Sequence, residues 1–263
     1  MLIPLTNAQF FREIRLIATD MDGTLTKDEK FTPALFQALE SLAEAKIDVL
    51  VTTGRSAGWV HGVKHYFPIV GAIAENGGVF YPHDSDTPQI LTPLPSIPEH
   101  RQQLAAMFHQ LQVKFPQLQE AEDNRYRLTD WTFSVERLSD RDLETIAHFC
   151  HEQGWGFTYS TVQCHIKPLS QDKATGLEVL LDRYFSHLTP SQLVTIGDSP
   201  NDESLFNSDR FPHSVGVANV LEYRDILAHC PTYITSLPEC EGFCELVSFL
   251  IEKPNNKQQT TNN

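Results

Sequence analysis

The 263-residue sequence contains no apolar run approaching the roughly 20 residues a membrane-spanning helix needs. Its opening segment, Met1 to Arg15, also lacks the basic stretch and long apolar core of a secretory signal. Both absences predict a soluble, unexported, cytoplasmic protein. Basic residues are scarce: 20 Lys and Arg stand against 34 Asp and Glu, a formal net charge of −14. A surface so acidic repels polyanions, which disfavours nucleic-acid and anionic-membrane partners while leaving room for a local basic pocket. The five cysteines, Cys150, Cys164, Cys230, Cys240 and Cys244, are odd in number and contain no CxxC pair. In a chain too long to need staples they read as reduced thiols, not as disulfides or structural zinc. No glycine loop ends in Gly-Lys-Ser/Thr, and the helix that begins like a zinc protease at His151-Glu152 has Trp155 where a second histidine is required. No repeat recurs at a solenoid period.

What is present is a hydrophobic fraction of 41%, enough to bury the core of one large domain or two smaller ones. Arg15 to Thr19 reads as a buried strand running into an acidic loop. Thr32-Pro33 then supplies a helix N-cap and first-turn proline, with Phe36, Leu39 and Ala43 at helical spacing. Ile47 to Thr52 and Val70 to Ala74 are further strands, closed by Thr53-Gly54-Arg55-Ser56 and Glu75-Asn76-Gly77-Gly78. Strands alternating with helices predict right-handed crossovers and a parallel sheet whose ligands lie beyond the strands' carboxyl ends.

From about Tyr81 to Lys167 the rhythm changes. Prolines at 82, 88, 93, 95 and 98 precede an amphipathic helix bearing Leu104, Phe108, Leu111 and Phe115. The strand Thr132 to Glu136, a helix from Ser139 to Gln153, and strand-like runs at Gly156–Tyr159 and Val162–Ile166 follow. This reads as an inserted α+β unit. Alternation resumes with a helix from Asp172 to about Phe185 and strands at Leu193–Ile196 and Ser214–Ala218. The expected division is a discontinuous core of residues 1–80 plus 168–252, an inserted domain of 81–167, and a polar, disordered tail of 253–263.

Two acidic loops carry the chemistry. Asp20-Met21-Asp22-Gly23-Thr24 follows the first strand, and Gly197-Asp198-Ser199-Pro200-Asn201-Asp202 follows a later one. Carboxylates so close together split in pKa or hold a cation between them. An EF-hand is excluded, because the glycine falls at position 4 of the loop and Phe31 stands at the twelfth. Oxygen-only donors favour Mg²⁺ over zinc or copper. Lys173 opens a helix and Thr53 closes a strand; an ammonium and a hydroxyl beside four carboxylates make sense where an anion must bind.

These four segments, Asp20–Thr24, Thr53–Arg55, Lys173 and Gly197–Asp202, resemble the ordered motifs of the haloacid-dehalogenase-like phosphohydrolase superfamily. The long insertion after the second motif, with Asn76-Gly77-Gly78, resembles the subfamily IIB, related to sucrose-phosphate and mannosyl-3-phosphoglycerate phosphatases. The resemblance implies an α/β fold, a Rossmann-like parallel-sheet core with an inserted α+β cap of C2B type. It also implies a Mg²⁺-dependent phosphatase of a small phosphorylated metabolite, a sugar or sugar-glycerate phosphate. Asp20 would be the nucleophile that forms an aspartyl-phosphate, and Asp22 the general acid and then base. Thr53 and Lys173 would bind the phosphoryl oxygens. The metal would be held by Asp20, the main-chain carbonyl of Asp22 and Asp198, with Asp202 and Asn201 completing or orienting the shell.

Candidate substrate contacts are Arg55, Asn76, Arg125, Arg127, His165, Lys167 and Asn201. Gln163, His165 and Lys167 alternate on one face of a strand. Trp59, His61, His65 and Tyr66 follow the second motif and read as packing residues or part of a rim. Two other functions compete: a phosphosugar mutase of the phosphomannomutase type, and a non-catalytic relative. Thr53-Gly54-Arg55 is the form common in hydrolases of the resembled group, and both motif-one aspartates are retained. Dehalogenases lack the second of these aspartates, and ion-pumping relatives need membrane helices.

Overall fold

The computed structural model describes residues 2–8, 13–160 and 162–251. The tail expected to be disordered, 253–263, lies outside the described residues. Among the described residues there are eighteen strands and α-helices, joined by short 3-10 turns. In chain order they are β1 (Ile3–Pro4), β2 (Leu16–Thr19), α1 (Pro33–Glu44), β3 (Asp48–Thr52), α2 (Ala57–Val63), β4 (Gly71–Ala74), β5 (Val79–Pro82), β6 (Gln89–Ile90) and α3 (Ile97–Lys114). There follow β7 (Trp131–Ser134), α4 (Asp140–Glu152), β8 (Trp155–Tyr159), β9 (Gln163–Pro168), α5 (Lys173–Tyr184), β10 (Leu193–Gly197), β11 (Ser214–Gly216), β12 (Tyr233–Ile234) and α6 (Glu239–Ile251).

The large sheet has the order β1-β12-β11-β10-β2-β3-β4-β5-β6. It is parallel from β1 to β4, and β5 and β6 extend it as an antiparallel hairpin. The hairpin carries this sheet through Ile90, past residue 80, where proline punctuation suggested that the core sequence breaks off. Both faces are covered, so the strands are apolar without alternation. Ile17, Val49 and Val51 pack under α1, α2 and α6 on one face, while Leu16, Ala18 and Leu50 pack under α5 on the other. Thr32 caps α1 by accepting the N–H of Leu35, with Pro33 in the first turn, as its sequence predicts.

A second, antiparallel sheet, β7-β9-β8, packs one face on α3 and α4 around Leu104, Phe108, Phe133, Ile146, Cys164 and Ile166. Ser139 and Asp142 form a reciprocal capping box at the start of α4. Along β9 the alternation leaves Gln163, His165 and Lys167 on the face opposite this apolar core. All five cysteines are free thiols. Among the described residues no helix is long and apolar enough to cross a membrane.

Candidate active site

The chain passes from β2 to β3 on one side of the sheet and returns to β10 on the other, so β2 and β10 flank the point where strand order reverses. Loops leaving the carboxyl ends of such strands border a crevice. Thr19 pairs with Ile196, and the Asp20 N–H donates to the Ile196 carbonyl at 2.9 Å. The two acidic loops therefore leave the sheet side by side. Gly23 has φ +83°, and a Cβ there would lie 2.4 Å from an Asp198 carboxylate oxygen; only glycine lets the first loop pass this close to the second.

Asp20, Asp198 and Asp202 are buried, and one oxygen from each lies within 4.8 Å of the others. Lys173, fully buried at the first turn of α5, donates to Asp20 Oδ1 at 2.5 Å and Asp202 Oδ1 at 2.6 Å. Two carboxylates thus share one ammonium, with the third, Asp198, beside them. Burial, reinforced by the charge of Asp202, pushes the Asp20 carboxyl up to about 7 despite the pull of Lys173. Burial and the charges of Asp20 and Asp202 likewise hold Asp198 well above the usual carboxylate range. Such a group is stable in its ionised form only with further positive charge, and its all-oxygen donors suit a hard divalent cation. The residues therefore fit Mg²⁺. Asp202 already has both oxygens engaged, since its Oδ2 accepts the N–H groups of Asp198 (3.0 Å) and Ser199 (3.2 Å).

Lys173 reaches this position because the turn at residues 75–77 is left-handed throughout, with φ of 55°, 52° and 98°. A Cβ on Gly77 would meet the Asp172 carbonyl at 2.0 Å, so the start of α5 lies directly against the turn. Left-handed φ at a glutamate costs on the order of 1–3 kcal/mol. Glu75 is held there by its own carboxylate, which accepts from the N–H groups of Ala57, Leu128 and Thr129 and from the Thr129 hydroxyl at 2.6–3.0 Å.

Beside the carboxylate group, Asp22 turns its side chain to Arg55, which donates to both carboxylate oxygens at 2.8 and 2.6 Å. Thr53 is buried, and its hydroxyl accepts the Arg55 N–H at 3.1 Å, leaving its own proton to donate elsewhere. Asn76 Oδ1 accepts from Asn201 Nδ2 at 3.0 Å, while Asn76 Nδ2 is buried without a partner. An orphaned donor costs about 1–3 kcal/mol unless a ligand takes it.

The opposite wall of the cleft comes from β9. Asp20, Asp22, Arg55, Gln163, His165 and Asn201 line one space, and the His165 ring lies 3.1–3.2 Å from where a Cβ on Gly54 would stand. His165 Nδ1 faces Asp130 Oδ2 at 2.8 Å, so the acceptor-only carboxylate fixes the proton on Nδ1. Burial lowers the imidazole pKa, against the pull of Asp130, and Nε2 is left as an acceptor.

Three expected substrate contacts lie elsewhere. The Arg127 guanidinium is buried and spends its terminal nitrogens on the Gly54 carbonyl, Asp130, Asp123 and Gln163, all within 3.0 Å. It is a strut between the two sheets, not a free cation. Lys167 donates to the Gln171 carbonyl and borders a separate depression with Asn76 and Asn201. Arg125 is exposed and stacks on Tyr126. Of the residues after the second motif, Trp59 lies under Arg55, whereas His61 and His65 meet Asp86 and Tyr66 is exposed.

Sequence spacing missed Asn219, whose Nδ2 donates to Asp198 Oδ2 at 2.9 Å and to the Gly23 carbonyl at 3.2 Å. It sits in a turn just after β11, and the only available signal was a carboxamide beyond the end of a core strand. Glu75 was also passed over, although an acid inside a glycine turn is unusual enough to have marked it.

A doubly wound parallel sheet with four aspartates, a lysine and a threonine at its carboxyl edge defines the haloacid-dehalogenase-like phosphatases, and the chain is a phosphoric monoester hydrolase of that class. Within it, the sequence model of the sucrose-6F-phosphate phosphohydrolase family matches residues 13–248, and the chain belongs to that family. A phosphoglycolate phosphatase of Methanothrix thermoacetophila is 28% identical over 247 residues, covering 90% of this chain and 97% of the relative. A crystal structure from Thermoplasma acidophilum superposes with a TM-score of 0.73 at 21% identity, covering 90% of this chain and 98% of that one. The sucrose-phosphatase of Synechocystis, solved with sucrose and phosphate, superposes at 0.67 with 17% identity and the same coverage. At these identities the two structures establish the fold alone.

Proposed function

We propose that this phosphatase uses Mg²⁺ and works through an aspartyl-phosphate on Asp20. The observation that carries the reading is the buried trio Asp20, Asp198 and Asp202, in which Asp20 and Asp202 share the ammonium of Lys173, beside another aspartate, Asp22. When bound, Mg²⁺ supplies the charge that lets a phosphate group approach these carboxylates. Asp20, Asp198 and the main-chain carbonyl of Asp22 would hold it. Asp202 acts by orientation, because its two oxygens are committed to Lys173 and to the N–H groups of Asp198 and Ser199.

Lys173 fixes the plane of the Asp20 carboxylate and offsets phosphoryl charge. An Asp20 oxygen attacks phosphorus in line; the new O–P bond forms as the bond to the leaving oxygen breaks, and Asp22 gives that oxygen its proton. Asp22 then takes a proton from water, whose oxygen bonds to phosphorus as the phosphorus–oxygen bond to Asp20 breaks, which frees phosphate and restores the Asp20 carboxylate. The bidentate pair with Arg55 occupies both Asp22 oxygens, so it must open for either transfer. Arg55 thereby becomes free to meet the substrate. Thr53 Oγ1 and the orphaned Asn76 Nδ2 are donors for phosphoryl oxygens.

The unit built on β7-β9-β8 we take as a cap, residues 81–167 in the sequence reading, with the β5–β6 hairpin staying on the core sheet. Its contribution to specificity is the pair Gln163 and His165, with His165 Nε2 accepting a hydroxyl of the leaving group. That favours a hydroxylated substrate, a sugar or sugar-glycerate phosphate. A second reading, phosphoglycolate, is favoured by the 28% identical relative and by the close approach of His165 to Gly54, which leaves little room.

The test is phosphate release from sugar phosphates, disaccharide phosphates, mannosyl-3-phosphoglycerate and phosphoglycolate, with Mg²⁺ and with EDTA. Metal-dependent turnover of a hydroxylated substrate supports the reading. Turnover unaffected by EDTA, or only interconversion of phosphosugars, contradicts it.

A further inference from the structure

Among the described residues a second group of metal-ligating side chains lies outside the catalytic cleft. His61 is on α2, and His65 follows in the 3-10 turn Lys64–Tyr66 that continues it. Spaced by four residues, they present Nε2 atoms to one point, where the loop between β5 and β6 delivers Asp86. Asp86 Oδ1 lies 3.2 Å from each Nε2, and the three donor atoms fall within 4.8 Å of one another. None of the three lines the catalytic cleft.

We propose that His61, His65 and Asp86 form a binding site for a borderline transition-metal cation, Zn²⁺ by preference, that ties α2 to the β5–β6 loop. Two imidazoles and a carboxylate are a zinc-type donor set, unlike the all-oxygen group at Asp20. The spacing also suits the ion: with bonds of about 2.0–2.1 Å, the ligands of a tetrahedral shell stand about 3.3–3.4 Å apart. Contraction or rearrangement by more than a few tenths of an ångström is not needed at the two edges that include Asp86.

The loop is already braced for this role. Lys64 is buried, and its ammonium donates to the carbonyls of Pro82 (3.2 Å), His83 (3.3 Å) and Ser85 (2.9 Å). It also stands 3.2 Å from Asp86 Oδ1. An ammonium has three protons, and the three carbonyls satisfy them, so Lys64 loses no required partner when a cation takes the Asp86 oxygen. Its charge weakens cation binding, yet its bonds hold residues 82–85 in the shape that places Asp86 over the histidines. The His61 ring is further positioned against Tyr81 of β5, with centroids 5.3 Å apart.

The test is Zn²⁺ and Co²⁺ uptake by the full chain in excess Mg²⁺, comparing wild type with a His61→Ala/His65→Ala double variant and with Asp20→Asn. Both histidines are about half exposed, so the double variant is expected to fold. Wild type and Asp20→Asn should bind one more Zn²⁺ than the double variant. Their Co²⁺ forms should show the intense visible bands of a four-coordinate nitrogen–oxygen site, and the double variant only weak ones. Loss of the two ligands should weaken affinity by at least the roughly 100-fold upper end of what loss of an outer-shell partner costs. Equal Zn²⁺ stoichiometry in all three proteins, or weak octahedral-type bands alone in wild type, would overturn the proposal.

Discussion

The three buried carboxylates make a quantitative prediction about how metal and pH act together on stability. In metal-free protein the Asp20 carboxyl titrates near 7, against an ordinary value of 3.8 in the unfolded chain. Between those values the folded chain keeps a proton that the unfolded chain has released, so stability falls as pH rises through the window. The gap corresponds to about 4 kcal/mol from Asp20 alone, and Asp198, raised in the same direction, adds to it. A divalent cation holds the ionised forms and removes this penalty. At a hundredfold excess over Kd, binding itself is worth ~2.7 kcal/mol. Thermal melts in EDTA and in saturating Mg²⁺, from pH 5 to 8, read the effect directly. The difference in Tm should be small at pH 5 and widen to a plateau on the order of 10 °C above pH 7, at ~2–4 °C per kcal/mol. Groups remote from the site, such as Glu75 and Asp130, titrate alike in both arms and cancel. A Tm difference that is constant across the range, or no Mg²⁺ effect at all, would refute the assignment of this cluster as a cation site.

Asp20→Asn should abolish phosphate release while raising the metal-free Tm above pH 7, because it removes the carboxylate that burial penalises; a variant that is both active and unchanged in Tm would contradict the nucleophile. Arg127→Met leaves Asp130 buried beside a neutral His165, and chemical denaturation should report a loss of about 3–5 kcal/mol. Asp130→Asn offers an amide that can donate to Nδ1 and so releases the His165 tautomer. KM for a hydroxylated substrate should rise roughly 3- to 10-fold, the worth of one hydrogen bond, with little change in kcat. Gly77→Ala drives a methyl into the Asp172 carbonyl and displaces the start of α5; kcat should fall by at least the roughly 100-fold that a 1 Å misplacement costs, with the far-ultraviolet circular dichroism retained.

The parallel sheet and its acidic edge were legible because they are local. Leu16 to Thr19 and Leu193 to Gly197 are short apolar runs that end in carboxylate loops, and such a pattern has few alternative folds. The cap side chains were not legible, because their roles depend on partners far away in sequence. Arg127 is a free cation by spacing, and only the fold brings Asp123, Asp130, Gln163 and the Gly54 carbonyl around it. Along β9 the alternation correctly put Gln163, His165 and Lys167 on one face, but a strand's face is longer than a cleft is wide, and Lys167 falls beyond its end. The β5–β6 hairpin was hidden by prolines: Pro82 and Pro88 sit at its strand ends, where a missing N–H costs little, so punctuation that suggested a domain boundary marks a turn within the sheet.

Covalent catalysis by Asp20 is read by acid-quench mass spectrometry of Asp22→Ala during turnover of an aryl phosphate, whose good leaving group needs no acid, so that the variant slows breakdown of the intermediate and not its formation. One phosphoryl group should appear on the peptide containing Asp20, released by hydroxylamine and absent when Mg²⁺ is withheld. Turnover with no phosphorylated Asp20 at any quench time, or a phosphoryl group on a different residue, would contradict it.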